Sequence, residues 1–232
     1  MKKPQQERFT LCLFTLTALT AVLFHSGCGL IGTIGTPGSH EKKIPAEYDL
    51  TKHRDWKMLV LVSQPIWLNA KVNLSYYLTE AINENLIRKA KIPSGNLVAY
   101  NELSEFRSNQ PNSSLLPPPE VGRALDADVV LLVIIDDYQL HKIAETDYYK
   151  GSLNTQTILL ETATGEKLWP KSVKSKSIKV GFEVEERGRE SAVKRLVKAC
   201  AYCTVRYFYN CPKDKFKIFD DKSDVGWESW ER

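Results

Sequence analysis

The 232 residues contain no Gly-x-Ser-x-Gly elbow, phosphate-binding loop, dinucleotide fingerprint or His-Glu-x-x-His pair. Each of those patterns places a nucleophile, an anion cradle or a metal at a fixed spacing, so hydrolase, nucleotide and zinc-protease chemistry have no residue to name here. No cofactor is expected. No internal repeat is visible, and no apolar run reaches the roughly 20 residues that a helix needs to cross hydrocarbon. The length suits one ordinary domain with a leader and linkers, and is too short for two comfortable domains. With 43% hydrophobic and 26% charged residues, the chain has the composition of a folded globular protein.

The formal charge is only +4, but it is unevenly spread. Residues 166–217 hold fourteen Lys/Arg against six Asp/Glu, a local +8. Such a basic half is attracted to anionic headgroups, to cell-wall carboxylates or to nucleic acid, and it also serves simply as a solvated face. Export, argued next, excludes nucleic acid.

Residues 1–28 run from a basic start (Lys2, Lys3, Arg8) through an apolar stretch at 9–24 to His25-Ser26-Gly27-Cys28. That order is a secretory leader. Ser26, Gly27 and Cys28 resemble the cleavage motif of bacterial lipoproteins, with His25 where that family prefers Leu. The resemblance implies removal of residues 1–27 and acylation of Cys28. Two or three acyl chains hold firmly, since each buried methylene contributes about 0.8 kcal/mol. Gly29, not being Asp, implies the outer membrane rather than the inner by the proteobacterial sorting pattern. Glycine-rich residues after Cys28 predict a flexible tether over 28–55. A body over 56–210 and a tail over 211–232, partly docked through Phe216, Phe219, Trp227 and Trp230, complete the expected organisation.

Within the body, 57–63 (KMLVLVS) predicts a strand, and apolar residues at Leu74, Leu78, Ala81, Ile82 and Leu86 predict a helix over 72–90 ended by Pro93. A short strand over 97–100 and a small helix capped by Asn101 follow. Residues 109–119 read as a loop, with Pro119 opening a helix through 121–127. Residues 128–136 (DVVLLVIID) are apolar on both faces, as a covered central strand must be. A strand over 149–162 turns at Thr164-Gly165 into 166–169. Ile178, Val180, Phe182 and Val184 alternate along another strand. A long helix is expected from Glu185 or Glu186 to Pro212, burying Val193, Leu196, Val197, Cys200, Thr204, Tyr207 and Phe208, with Glu190, Lys194 and Lys198 paired outside. The fold class is α/β: one domain, a small mixed β-sheet with helices packed on it.

The helix with Gly122, Ala124 and Leu125, the Ala127-Asp128 pair entering the central strand, and the Thr164-Gly165-Glu166 turn before Trp169 resemble a group of envelope lipoprotein domains. These are related to the curli-secretion lipoprotein and to outer-membrane activators of peptidoglycan synthases. The resemblance implies a periplasm-facing domain that binds another envelope protein, in cell-wall synthesis or secretion assembly. The glycine usual after the central strand is replaced by Ile134, Ile135 and Asp136. No pair of long amphipathic hairpin strands is visible either, which disfavours a secretion pore.

Two side-chain groupings remain. Cys200 and Cys203, with Cys211, lie late in a helix, which does not suit redox catalysis; a structural Cys203–Cys211 disulfide and buried free thiols both stay open. Zinc would need a fourth ligand, for which His141 is the only candidate and nothing in the spacing points to it. Asp136 and Asp137, followed by His141, stand at the expected end of the central strand, where open α/β sheets often take ligands. A small-ligand binder or enzyme at Asp136 is therefore the alternative to a non-catalytic interaction module, although neighbouring strand residues face opposite ways.

Overall fold

The computed structural model describes residues 43–65, 72–110 and 112–213, the side chains of 183–187 excepted. The leader, Cys28 and the tail beyond Lys213 lie outside the described residues.

Alternation of large apolar residues builds the centre. Strand β2 (Met58–Ser63) pairs in parallel with β3 (Val129–Lys142), Met58 opposite Val129, and both strands are buried on two faces where they meet. Met58, Val60, Val62, Val129, Leu131, Val133 and Ile135 face one helical layer. Leu59, Leu61, Val130 and Leu132 face the other. The two-faced apolar character read from DVVLLVIID is thus what the packing uses.

The first layer holds α1 (Leu74–Asn85), whose Leu74, Leu78 and Ile82 recur every four residues and are fully buried. Asn73 caps it, accepting the Tyr76 N–H at 3.0 Å. A wider turn, Leu86–Ala90, carries it to Lys91, which ends the helix in the left-handed region. Beside it lies α4 (Arg189–Val205), with Val193, Leu196, Val197 and Cys200 buried. The second layer is α2 (Tyr100–Asn109) and α3 (Pro118–Ala124), packed through Leu103 and Val121.

Strand β4 (Tyr148–Glu161) is antiparallel to β3. Its other edge is shared end to end: β6 (Lys176–Arg187) pairs along Tyr148–Thr157, and β5 (Lys167–Trp169) pairs beyond, at Leu159 and Leu160. The sheet therefore has five strands but is four wide. Along β4, Leu153, Thr155, Thr157 and Leu159 are buried while Ser152, Asn154, Gln156, Ile158 and Leu160 are half-buried, so three layers at β2 and β3 thin toward two. A small ribbon pairs β1 (Lys43–Ile44) with β7 (Cys211–Pro212). Residues 43–55, assigned to the tether by their sequence, are thereby part of the body.

Several expectations are corrected. Residues 97–100 form no strand: Leu97 makes a single parallel bridge to Met58, and Val98 donates to the Met58 carbonyl at 3.0 Å before the chain turns into α2. The N-cap of α2 is Ala99, not Asn101, and α3 opens at Pro118, one residue early. Strand β3 does not stop at Asp136 but runs to Lys142, because a β-bulge between Ile135 and Asp137 absorbs the extra residue. With β4 it makes a hairpin of fourteen residues per strand, contrary to the expectation that no long hairpin exists. Its outer part is polar on one face, where Gln139, His141 and Lys150 are exposed, while Tyr138, Leu140 and Tyr149 on the other pack against the core. Glu185 and Glu186 lie in β6; the turn to α4 comes at Gly188, whose φ of 84° is open to glycine and strained for other residues.

Candidate interaction site

Strand directions gather one end of the body. The parallel pairing of Met58 with Val129, and the antiparallel pairings of Val129 with Glu161 and of Thr157 with Lys176, put the starts of β2, β3 and β6 and the end of β4 together. Asp128 ties this end. Its carboxylate accepts the Lys57 N–H at 2.7 Å, its own N–H donates to the Lys57 carbonyl at 2.7 Å, and its carbonyl accepts from Thr162 N–H at 2.9 Å. The Ala127-Asp128 pair singled out in the sequence is thus a structural lock. The Trp169 indole N–H donates to Glu47 Oε2 at 2.9 Å, and Lys176 Nζ lies 2.6 Å from Glu47 Oε1 and 4.1 Å from the Tyr207 ring centre. This clasp holds the leading segment to the sheet.

The residues selected from sequence for chemistry are not brought together. Cys28 lies outside the described residues. Asp136 is exposed at the bulge, in mid-strand, and its carboxylate accepts from Gln156 Nε2 at 2.7 Å. Asp137 accepts from Gln139 at 3.1 Å. The strand end on which a ligand site was expected is six residues further on, so the two carboxylates serve local polar contacts. His141 is exposed, far along β3 from the thiols; among the described residues no group of three or more His, Cys, Asp or Glu could hold a metal ion.

Cys200, Cys203 and Cys211 are all buried and unbridged. Of the two readings left open, the structure has the buried thiols: Cys203 and Cys211 are not joined, and the Cys211 sulfur is held 3.5 Å from the hydroxyls of both Tyr202 and Tyr209. Cys200 faces Thr155, Sγ to Oγ1 at 3.6 Å. Burial pushes the Cys200 thiol up from 9.0 to about 11, and burial likewise raises the Tyr202 and Tyr209 hydroxyls. The unfolded thiol ionises at the lower value, so stability is whole below pH 9 and falls as pH climbs from 9 to 11. Two pH units correspond to roughly 3 kcal/mol from Cys200 alone. Thermal melts over that range should show a declining midpoint, with a shallower decline in Cys200→Ala; equal slopes would contradict the assignment.

What sequence reading missed is a cleft where α1 and α4 both begin. A cavity of about 420 Å³ is lined by Val72, Asn73, Tyr76, Tyr77, Arg189, Glu190 and Val193. Tyr76 is 40% exposed and sits edge-on to Tyr77 and Tyr100, at 5.3 and 5.1 Å between ring centres. Asn73 Nδ2 fixes the Tyr100 hydroxyl at 3.2 Å. Glu190 is drawn below the ordinary carboxylate range by Lys194, 2.7 Å away. Burial raises the Tyr138 hydroxyl, with Arg189 pulling it down. The cleft offers aromatic rings beside a guanidinium, with no nucleophile–base pair among its described lining residues. The adjacent Tyr76-Tyr77 on an otherwise polar helix flank was the available signal.

Comparison with protein-family models gave no match, and neither did comparison with curated proteins. Solved structures do match. The chain is similar to the lipoprotein GNA1162 from Neisseria meningitidis, at 17% identity over 53% of this chain and 82% of that one, TM-score 0.37. It is similar to the PelC dodecamer subunit from Paraburkholderia phytofirmans, at 11% identity over 72% and 97%, TM-score 0.39. It is also similar to the LpoB C-terminal domain from Salmonella enterica, at 19% identity over 59% and 84%, TM-score 0.33. Of these three, GNA1162 is described as a lipoprotein. Identities and TM-scores this low establish no shared family.

Proposed function

We propose that this chain is a lipoprotein of the bacterial cell envelope, cleaved before Cys28 and acylated there, with its body in the periplasm. The body is a non-catalytic module that engages another envelope protein, in cell-wall synthesis or secretion assembly. The carrying observation is the order of basic start, apolar run and Ser26-Gly27-Cys28, which resembles the leader and cleavage motif of exported, lipidated chains. Gly29 favours the outer membrane. Attachment is assigned to the lipid on Cys28, and no helix among the described residues is long and apolar enough to cross a membrane. The tyrosine cleft is the surface assigned to the partner.

Growth with labelled palmitate should tag the wild-type chain in the membrane fraction, while Cys28→Ala should lose essentially all of the label and accumulate with its leader intact. Equal labelling of the two would refute the anchor. Crosslinking in intact cells followed by mass spectrometry should recover an envelope protein joined near Tyr76, and Tyr76→Ala should reduce that product.

A further inference from the structure

We propose that the loop joining β5 to β6 is a membrane-contact surface, with Lys171 and Lys174 set against anionic lipid headgroups and Val173 between them entering the headgroup layer. This rests on the anchored reading above.

Three observations converge on the loop. First, its chemistry suits a charged bilayer surface: Lys171 and Lys174 are exposed, and Val173, a large apolar residue between them, is 50% exposed. From Glu166 to Lys179 the chain has five lysines and one acid. The nearby Glu47 is engaged by Lys176 at 2.6 Å, and the five lysines still outnumber Glu166 and Glu47 by three. Second, the loop is held in place. Lys167 Nζ donates to the Val173 carbonyl at 2.6 Å, and the Ser175 hydroxyl donates to Gln156 Oε1 at 2.9 Å. A fixed loop loses little conformational freedom when it docks.

Third, the loop sits where an anchor would deliver it. The described chain begins at Lys43, and four residues later Glu47 is gripped by Trp169 and Lys176, the residues flanking the loop. Lys43 follows Cys28 by fifteen residues, a span of at most about 54 Å even when fully extended. The segment that leads toward Cys28 therefore joins the body beside the loop. Attraction of lysine to anionic lipid acts within a Debye length, about 8 Å at physiological salt, so only the facing end profits. Lys142 and Lys150 mark the opposite end of the β3–β4 hairpin.

The test uses the full protein purified from membranes and mixed with vesicles of phosphatidylcholine alone or of equal parts phosphatidylcholine and phosphatidylglycerol. Flotation reports attachment, and amine acetylation read by mass spectrometry reports which lysines are covered. Lys171 and Lys174 should be acetylated about fivefold more slowly on anionic vesicles than on neutral ones, a factor matching the attraction expected per lysine. Lys142 and Lys150 should not change, and high salt should erase the difference. Flotation on both vesicles without protection of the loop would overturn the proposal while leaving the anchor intact. Equal protection on both would also overturn it, by pointing to a protein contact instead. Flotation on neither would sink anchor and loop together, whereas flotation on anionic vesicles alone, with the loop protected, would support the loop against the anchor.

Discussion

Replacing Trp169 with alanine is expected to destabilise the body by about 3–5 kcal/mol, the range for deleting a fully buried large aromatic. Trp169 is 1% exposed and packs edge-on to Phe208 and tilted against Tyr207, at 4.9 and 5.6 Å between ring centres. It also anchors residues 43–50 through Glu47, so the variant should free that segment as well as open a cavity. Urea unfolding followed by circular dichroism gives the first effect, and amide exchange at Glu47 and Tyr48, whose N–H groups donate to the Tyr207 carbonyl, gives the second. Trp169→Phe keeps most of the ring and loses the indole N–H, so it should cost nearer 1 kcal/mol for the hydrogen bond plus a smaller packing loss. A Trp169→Ala variant within 1 kcal/mol of wild type would show that the clasp is ornamental.

Gly122→Val should cost about 1–3 kcal/mol or more through overpacking. A Cβ at position 122 would stand 2.6 Å from Val130 Cγ2 on β3 and 2.9 Å from Thr162 Oγ1 in the turn just after β4. Neither atom belongs to a long flexible side chain that can swing away. At Gly95 a Cβ would meet nothing within 4 Å, so Gly95→Ala should leave stability within about 0.5 kcal/mol. Comparing the two by thermal melts separates close packing from a general dislike of substitution. A tolerated Gly122→Val would mean that α3 can lift off the sheet.

These two residues also show how much was legible beforehand. Gly122 and Trp169 stood out as members of a short pattern, and the structure supplies the reasons: one lets a helix approach β3, the other fastens the leading segment. The central strand, α1 and the buried face of α4 were readable because long-range burial imposes local periodicity: Leu74, Leu78, Ala81 and Ile82 share one face on a helix, whereas a strand would turn Ala81 and Ile82 opposite ways. Boundaries were less readable. Two consecutive aspartates look like a strand end, yet a bulge lets Asp136 turn outward while pairing resumes at Asp137. The acidic run before Arg187 looks like a helix start, yet pairing with Tyr148 and Tyr149 holds it in β6 until Gly188. The tyrosine cleft, hinted at only by the adjacent Tyr76-Tyr77, was hard to read for a different reason. Its walls come from residues 72–77 and 189–193, distant segments whose meeting depends on how α1 and α4 lie on the sheet. A single chain's periodicity carries no record of that.

The account stands on what happens at residue 28, and the N-terminal peptide of the protein recovered from membranes tests it most directly. Trypsin digestion and mass spectrometry should find residues 28–42 beginning at Cys28, carrying two or three acyl chains, with no peptide from residues 1–27 attached. A chain still starting at Met1 inside the cytoplasm, with an unmodified Cys28, would contradict the anchor, the compartment and the role assigned to the body.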